Sequence, residues 1–218
     1  MGFGLLVIGY ATMLVWGLAI DPEIGLGFDI LPDLAGYVLF FVGLRGLRPY
    51  SKGFVLARYV TLPLMLLGGA TLATQGTALL GKWIPALSQH WPLMQNIISV
   101  IATVSTPLLF FFHLYLCQGI RELAAEVELH KVVTRSKIAA CLSSVFYLGQ
   151  LLSGIVGLPL LMIWFFAIMT YVVYFYYLFL LYSCYMHIVY ADETPKEVFN
   201  PLMRLLDKMK KNNDSSAK

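Results

Sequence analysis

Long apolar segments separated by short polar ones dominate the chain. A helix that crosses a bilayer needs about 20 mainly apolar residues, because each residue adds about 1.5 Å and the hydrocarbon core is about 30 Å thick. Segments of this kind cover residues 3–20, 29–48, 54–80, 92–117, 138–155 and 158–190. The pattern predicts an all-α, polytopic transmembrane helix bundle of about six spans over residues 1–190. The last segment is long for one crossing and must tilt or project beyond the bilayer.

The composition supports this reading. Hydrophobic residues make up 59% of the 218 residues, and charged residues make up 12%. A soluble domain carries about 25% charged residues, because its surface must be solvated by water. The lipid bilayer is therefore the expected partner of most of the surface.

The basic residues are distributed unevenly among the predicted loops. Of the 15 lysines and arginines, Lys82 alone falls on one side of the predicted bundle, and the others lie on the opposite side, in or next to the loop between spans two and three, in the loop between spans four and five, and in the tail. They are Arg45, Arg48, Lys52 and Arg58, then Arg121, Lys131, Arg135 and Lys137, and then Lys196, Arg204, Lys208, Lys210, Lys211 and Lys218. Because cytoplasmic loops are enriched in lysine and arginine, both termini are predicted to be cytoplasmic.

Two amphipathic segments lie in the predicted cytoplasmic regions. In the loop 118–137, Ile120, Leu123, Ala124 and Val127 follow the spacing of one helix face, which predicts a short helix on the membrane or against a partner. In the tail 191–218, residues 195–211 combine leucines with lysines, as in a helix that rests on an anionic leaflet, and the end is expected to be disordered. Both segments are candidate contacts for a membrane or cytoplasmic protein. No nucleic-acid partner is expected, since the basic residues follow the predicted membrane topology.

One segment resembles a known family. The run Asp-Ile-Leu-Pro-Asp-Leu-Ala-Gly-Tyr at 29–37 is similar to a signature of small multi-pass membrane proteins from Gram-positive, clostridial-type bacteria. The segments at 4–10 and 119–124 resemble the same proteins. The resemblance implies a multi-pass protein of the bacterial cytoplasmic membrane, and it implies no activity and no catalytic residue.

Two acidic residues are the first candidates for a site. Asp29 and Asp33 lie four residues apart, on one face of a helix predicted to begin near Pro32. The helix between Asp33 and Arg45 is about 18 Å long, which is less than the thickness of the hydrocarbon core. One or both of these charges should therefore lie inside the nonpolar layer, unless neighbouring helices hold the span short. A charge at that depth is a functional candidate for contact with a substrate or ion. Alternatively, Asp33 stabilises the first turn of the helix.

The other candidates are polar or aromatic residues within the spans. His113 is a candidate for a polar lining or a proton relay, or else it is a packing histidine that hydrogen-bonds a neighbouring helix. Tyr171 and Tyr174 belong to a tyrosine stripe that could line a cavity or form a packing seam. Polar residues near the outer ends of spans three and four, with the two aspartates, could form an outward-facing vestibule; they include Gln75, Gln95 and Asn96. Small residues on the same part of span three, Gly69, Ala73 and Thr77, favour close helix contact instead.

The sequence has no pattern typical of a catalytic site. Its three cysteines show no metal-ligand or Cys-x-x-Cys spacing, and no nucleophile motif or mid-membrane pair of carboxylates is present. We therefore expect no metal and no cofactor, and an enzyme is the least favoured class of function, although an active site assembled from distant spans stays open. The preferred function is a non-catalytic accessory or regulatory membrane protein. The alternative is a small permease, or the substrate-binding component of a transporter, that uses Asp33 and the polar outer ends of spans two to four.

Overall fold

The computed structural model describes residues 2–13, 17–21, 26–29, 33–81, 91–156 and 160–188. The predicted basic tail, 191–218, lies outside the described residues. The helices are α1 (Gly2–Thr12), α2 (Asp33–Leu47), α3 (Lys52–Gly81), α4 (Trp91–Glu126), α5 (His130–Val156) and α6 (Leu160–His187). A short 3₁₀ helix, Arg48–Tyr50, joins α2 to α3. Strands β1 (Gly17–Asp21) and β2 (Leu26–Asp29) form an antiparallel hairpin between α1 and α2. The predominantly helical fold is confirmed.

Three of these helices are long and apolar enough to cross a membrane. Their apolar segments are Lys52–Thr77 in α3, Pro92–Glu126 in α4 and Trp164–His187 in α6. α1 is also apolar but has only 11 residues. Both α3 and α4 continue through an internal proline, Pro63 and Pro107 respectively, so neither helix is discontinuous there.

The predicted first and second spans need correction. The helix expected over 3–20 ends at Thr12, and Gly17–Asp21 forms strand β1. Asp29 lies in β2, where it pairs with Gly17, so it does not share a helix face with Asp33, the first residue of α2. The physical reason is the glycine and proline content of 17–32, which disfavours helix.

The predicted loop 118–137 is mostly helix within the bundle. α4 extends to Glu126 and α5 begins at His130, so the connection is short. Of the proposed apolar stripe, Ile120, Leu123 and Ala124 are buried, whereas Val127 is exposed. The expectation of a short helix on the membrane surface is wrong, because this apolar face packs against the other helices.

Glycines determine how closely α1 and α2 pack. A Cβ atom on Gly9 would lie 3.0 Å from the carbonyl oxygen of Gly36, and one on Gly2 would lie 2.8 Å from that of Gly43. Seven residues separate the two glycines on each helix, so both pairs lie along one antiparallel seam. Small residues of this kind let the backbones of membrane helices approach closely.

A second close approach joins α3 to α4. A Cβ on Gly53 would lie only 2.5 Å from the backbone nitrogen of Gly119. Further along α3, Gly68 lies against Tyr37, whereas none of the described residues lies within 4 Å of a Cβ placed on Gly69. The predicted close contact at Gly69 is therefore wrong by one residue, and the neighbouring glycine makes it.

These contacts bring the start of α1, the α2–α3 connection and the α4–α5 turn to one end of the bundle. We call this the basic end, because its exposed side chains include Arg45, Arg48, Lys52, Arg121, Lys131 and Lys137. α6 packs on the bundle through large side chains; Phe166 lies against Phe146 and Gly149. The chain divides into two compact units, Met1–Tyr185 and Met186–Lys218. Of the second unit, the structure describes residues 186–188.

Candidate functional site

A buried hydrogen bond links α1 to α4. The hydroxyl of Tyr10 and Nε2 of His113 are bonded to each other, and both residues are buried. On the other side of the ring, Nδ1 of His113 donates to the carbonyl oxygen of Leu109 at 2.6 Å. Since a carbonyl can only accept, Nδ1 carries a proton, and in a neutral ring Nε2 accepts from the Tyr10 hydroxyl. Both ring nitrogens are therefore engaged.

Tyr177 of α6 continues this arrangement. Its hydroxyl lies 3.1 Å from Sγ of Cys117, 3.0 Å from Oγ of Ser143 and 3.2 Å from the carbonyl oxygen of Ala139. Its ring stacks on that of Tyr10, with centroids 5.8 Å apart, and meets the edge of His113 at 4.5 Å. We call Tyr10, His113, Cys117, Ser143 and Tyr177 the buried polar cluster. It joins four helices.

Helical spacing explains how the cluster forms. His113 and Cys117 are four residues apart on α4, and Ala139 and Ser143 are four apart on α5, so each pair lies on one helix face. Ser136 extends the α5 face by donating to the carbonyl oxygen of Cys117 at 2.7 Å. Polar side chains between membrane helices are stabilised by such interhelical hydrogen bonds.

Beside the cluster lies a hydroxyl that has no partner. The Tyr174 hydroxyl is buried and makes no hydrogen bond within the described part of the chain, although its ring packs 5.1 Å from that of Tyr10. The carboxylate of Asp33 lies within electrostatic range of Tyr174 and of Tyr37. Of the predicted site residues, the structure thus brings Asp33, Tyr174 and His113 to one region of the bundle.

The basic end carries a separate hydrogen-bond network. Ser51 donates to Oε2 of Glu122 at 2.5 Å and accepts from the backbone nitrogen of Gly53 at 2.9 Å, so it also caps α3. Gln118 donates to the other carboxylate oxygen of Glu122 at 2.9 Å. This network ties the α2–α3 connection to α4.

Arg135 ties α5 to α6 at the same end. Its Nη1 donates to Oγ of Ser183 at 2.9 Å, and its guanidinium lies 4.8 Å from the ring centroid of Phe179. Its carbonyl oxygen accepts from the Tyr176 hydroxyl at 3.3 Å. Arg135 therefore binds the bundle together, whereas other basic residues of this end are exposed.

The remaining predicted site residues lie apart from the cluster. Tyr171 is exposed on α6, Arg45 is exposed near the end of α2, and Gln95 and Asn96 are exposed on the first turns of α4. Gln75 is half-buried on α3. The hydroxyl of Thr77 on α3 reaches Sδ of Met94 at 3.7 Å, so at this end of the bundle α3 contacts α4 through Met94.

The sequence predictions missed Tyr10, Cys117, Ser143 and Tyr177. One signal was available for Tyr10, because the dipeptide Gly-Tyr occurs at 9–10 and again at 36–37. In both places the glycine lies at the α1–α2 seam and the tyrosine is buried. Tyr177 was missed because it lies three residues beyond Tyr174, in a helix in which 11 of the 28 residues are aromatic.

The described residues contain no group of three histidine, cysteine or acidic side chains that could hold a metal ion. The three cysteines are free thiols, of which Cys117 and Cys184 are buried and Cys141 is exposed. No family model matches the chain, and no curated protein or solved structure is similar to it.

Proposed function

We propose that the protein is a non-catalytic accessory or regulatory protein that acts by binding another membrane protein. In this proposal it is a multi-pass protein of a bacterial cytoplasmic membrane, with about six spans and both termini cytoplasmic. The bacterial assignment rests on the resemblance at 29–37, and the orientation rests on the basic end. α1, α2 and α5 are the three further spans, packed against the longer apolar helices.

The first half of α4 carries this proposal. Every side chain from Pro92 to Val104 is half-buried or exposed, and Val100 is 62% exposed. In the described part of the chain, this half-helix therefore has few neighbours on most of its sides. A membrane helix that projects in this way offers a surface to lipid or to another protein.

The chemistry of that surface favours a protein over lipid alone. Gln95, Ser99 and Thr103 are exposed at successive four-residue spacings, so they lie within about 80° of one another on the helix. They lie on a different face from Met94, which contacts α3. Polar side chains on an apolar helix are stabilised by hydrogen bonds to another membrane helix. We call these three residues the polar stripe.

The buried polar cluster supports a structural rather than a catalytic interior. Both ring nitrogens of His113 are engaged, and the Tyr177 hydroxyl has three neighbours from two other helices. A general base or nucleophile must be within reach of a substrate atom. Groups already bonded to each other inside a packed bundle hold helices together.

Site-specific photo-crosslinking in native membranes tests the proposal. A photoreactive amino acid replaces Ser99 in the polar stripe or, as the matched control, Leu66, which is 76% exposed on an apolar face of α3. We expect a discrete protein adduct from position 99 and only lipid adducts from position 66. Equal adducts at both positions, or none at 99, 95 and 103, would contradict the proposal.

A small permease is the second candidate, favoured by the unpartnered hydroxyl of Tyr174. The Tyr174 hydroxyl is buried without a hydrogen-bond partner among the described residues, its ring packs against that of Tyr10, and Asp33 acts on it electrostatically. Under this alternative, these polar groups line a path into the bundle. Under this alternative, Asp33→Asn and Tyr174→Phe abolish activity in cells while the protein still inserts. Under the accessory proposal, Ser99→Leu or deletion of 198–218 has that effect and the two interior variants do not.

A further inference from the structure

A small pocket opens at the basic end between α2 and α3. It has a volume of about 140 Å³ and is lined by Phe41, Arg48, Val55, Arg58, Tyr59 and Leu62. Two of these six side chains are guanidinium groups, and the lining contains no carboxylate. Two cations that face one space repel each other unless an anion lies between them.

Arg58 is unusually placed for a charged residue. It lies six residues after the start of α3, or about 9 Å along the axis, inside the apolar segment Lys52–Thr77. Its guanidinium stacks over the ring of Phe41, 4.1 Å from the centroid. Its Nε is buried and has no hydrogen-bond partner within the described residues. Leaving a buried donor of a charged group unpaired costs free energy. The Nε–H of Arg58 is therefore available to an acceptor from a ligand.

The missing acceptor is of a definable kind. Arginine side chains match the oxygens of a phosphate group, to which they donate pairs of charge-assisted hydrogen bonds. A water molecule occupies about 30 Å³ in the liquid, so the pocket has room for a group of about five heavy atoms, the size of a phosphate. Leu62 and Leu66, four residues apart and both exposed, continue from the pocket along one apolar face of α3.

We propose that this pocket binds the phosphate of an anionic phospholipid headgroup, held by Arg48 and Arg58, with an acyl chain along Leu62 and Leu66. The inference rests on the proposed membrane location but not on the accessory function. A second pocket between α4 and α5, of about 260 Å³ and lined by Arg121 and Lys137, also presents cations. Its two cations are both exposed, so the structure gives less reason for a specific ligand there.

Native mass spectrometry of the full chain in a neutral detergent tests the site, with phosphatidylglycerol as the probe. We expect one tightly bound lipid, and we expect Arg48→Gln/Arg58→Gln to weaken its binding about thirtyfold, because each cation near an anionic surface contributes about a fivefold factor. Arg45→Gln is the matched control: it removes an exposed arginine of the same end that does not line the pocket, and it should change the affinity less than twofold.

Further arms identify the source of the phosphate and guard against misfolding. Phosphatidylcholine should bind at least tenfold more weakly, and 10 mM inorganic phosphate should not displace phosphatidylglycerol; displacement would identify free phosphate as the ligand of the same site. If the double variant does not fold, Arg48→Gln alone, which changes an exposed residue, should still weaken binding about fivefold. Unchanged phosphatidylglycerol affinity in a folded arginine variant, or equal binding of phosphatidylcholine, overturns the proposal.

Discussion

The hydroxyl of Tyr10 and the imidazole of His113 are bonded to each other across 103 residues of chain. This bond fastens the short helix α1 to the longest helix, α4, and the Tyr177 ring packs against both partners. The same three side chains therefore connect the beginning, the middle and the end of the described chain. Their removal should affect the stability of the whole bundle.

Tyr10→Phe should destabilise the bundle by about 0.5–1.5 kcal/mol, because it leaves Nε2 of His113 buried without a partner. The free energy of unfolding in detergent, followed by circular dichroism, measures this loss. Tyr182→Phe is the control, since Tyr182 is exposed on α6, and its effect should be within about 0.5 kcal/mol of zero. Equal effects of the two substitutions would mean that the Tyr10–His113 bond contributes nothing to stability.

Two glycines of α3 should respond in opposite directions to alanine. Gly53→Ala places a Cβ atom 2.5 Å from the backbone nitrogen of Gly119, and because a backbone atom cannot turn aside, the helices must separate, at a cost of about 1–3 kcal/mol. Gly69→Ala meets no atom within 4 Å in the part of the chain that the structure describes, and it should stabilise the protein by about 0.4–1 kcal/mol, because alanine has less freedom in the unfolded chain. Thermal unfolding of both purified variants measures the difference. The same sign for both would contradict the close packing of α3 on α4.

The turn between α4 and α5 places Glu128 in the left-handed region, with φ at 57°. Leu129 donates to the carbonyl oxygen of Ala124 at 2.8 Å, and Glu128 donates to that of Ala125 at 3.2 Å, as in the helix ends that favour glycine. Glu128→Gly should therefore raise the unfolding free energy by about 1 kcal/mol. Glu126→Gly removes the same charge from a helical position and should lower it by about 0.5–1 kcal/mol. Chemical unfolding of both variants is the measurement, and a loss of stability in both excludes this role for Glu128.

The orientation predicts which positions a membrane-impermeant maleimide can reach. In a background in which Cys117 is replaced by serine and the other two cysteines by alanine, Lys131→Cys at the basic end should react only after the cells are permeabilised. Asn96→Cys, at the opposite end of α4 and outside the polar stripe, should react in intact cells. Both positions are exposed in the structure, so burial does not explain a difference. Labelling of Lys131→Cys from outside intact cells would reverse the proposed topology.

The hydrophobic pattern alone was sufficient to predict where most helices lie. It failed at a helix end where charged residues stand among apolar ones. α3 begins and ends close to the predicted span 54–80, because its apolar run is bounded by charge on one side and a change of composition on the other. By contrast, Arg121 and Glu122 suggested a loop after Cys117, although α4 continues for two more turns. Charged residues near a helix end lower the local hydropathy, but the helix itself continues through them.

The candidate site was predicted in part. His113 stood out because it is an ionisable side chain in an apolar run, and Asp33 stood out for the same reason. Their neighbours did not, because Tyr10 and Tyr177 resemble many other tyrosines of the sequence, and only the packing of four helices selects them. The pocket at Arg58 could not be predicted from the sequence either, because Phe41, over whose ring the guanidinium lies, belongs to another helix.

The glycine seam between α1 and α2 has a consequence for biogenesis. At 11 and 15 residues, these helices extend about 16 and 22 Å, so each is shorter than the hydrocarbon layer that a lone helix would have to cross. An antiparallel pair joined by a hairpin can partition from the translocation channel as one unit, with backbone contact made before either half meets lipid. A bulky residue at Gly9 or Gly36 would then reduce how much protein reaches the membrane.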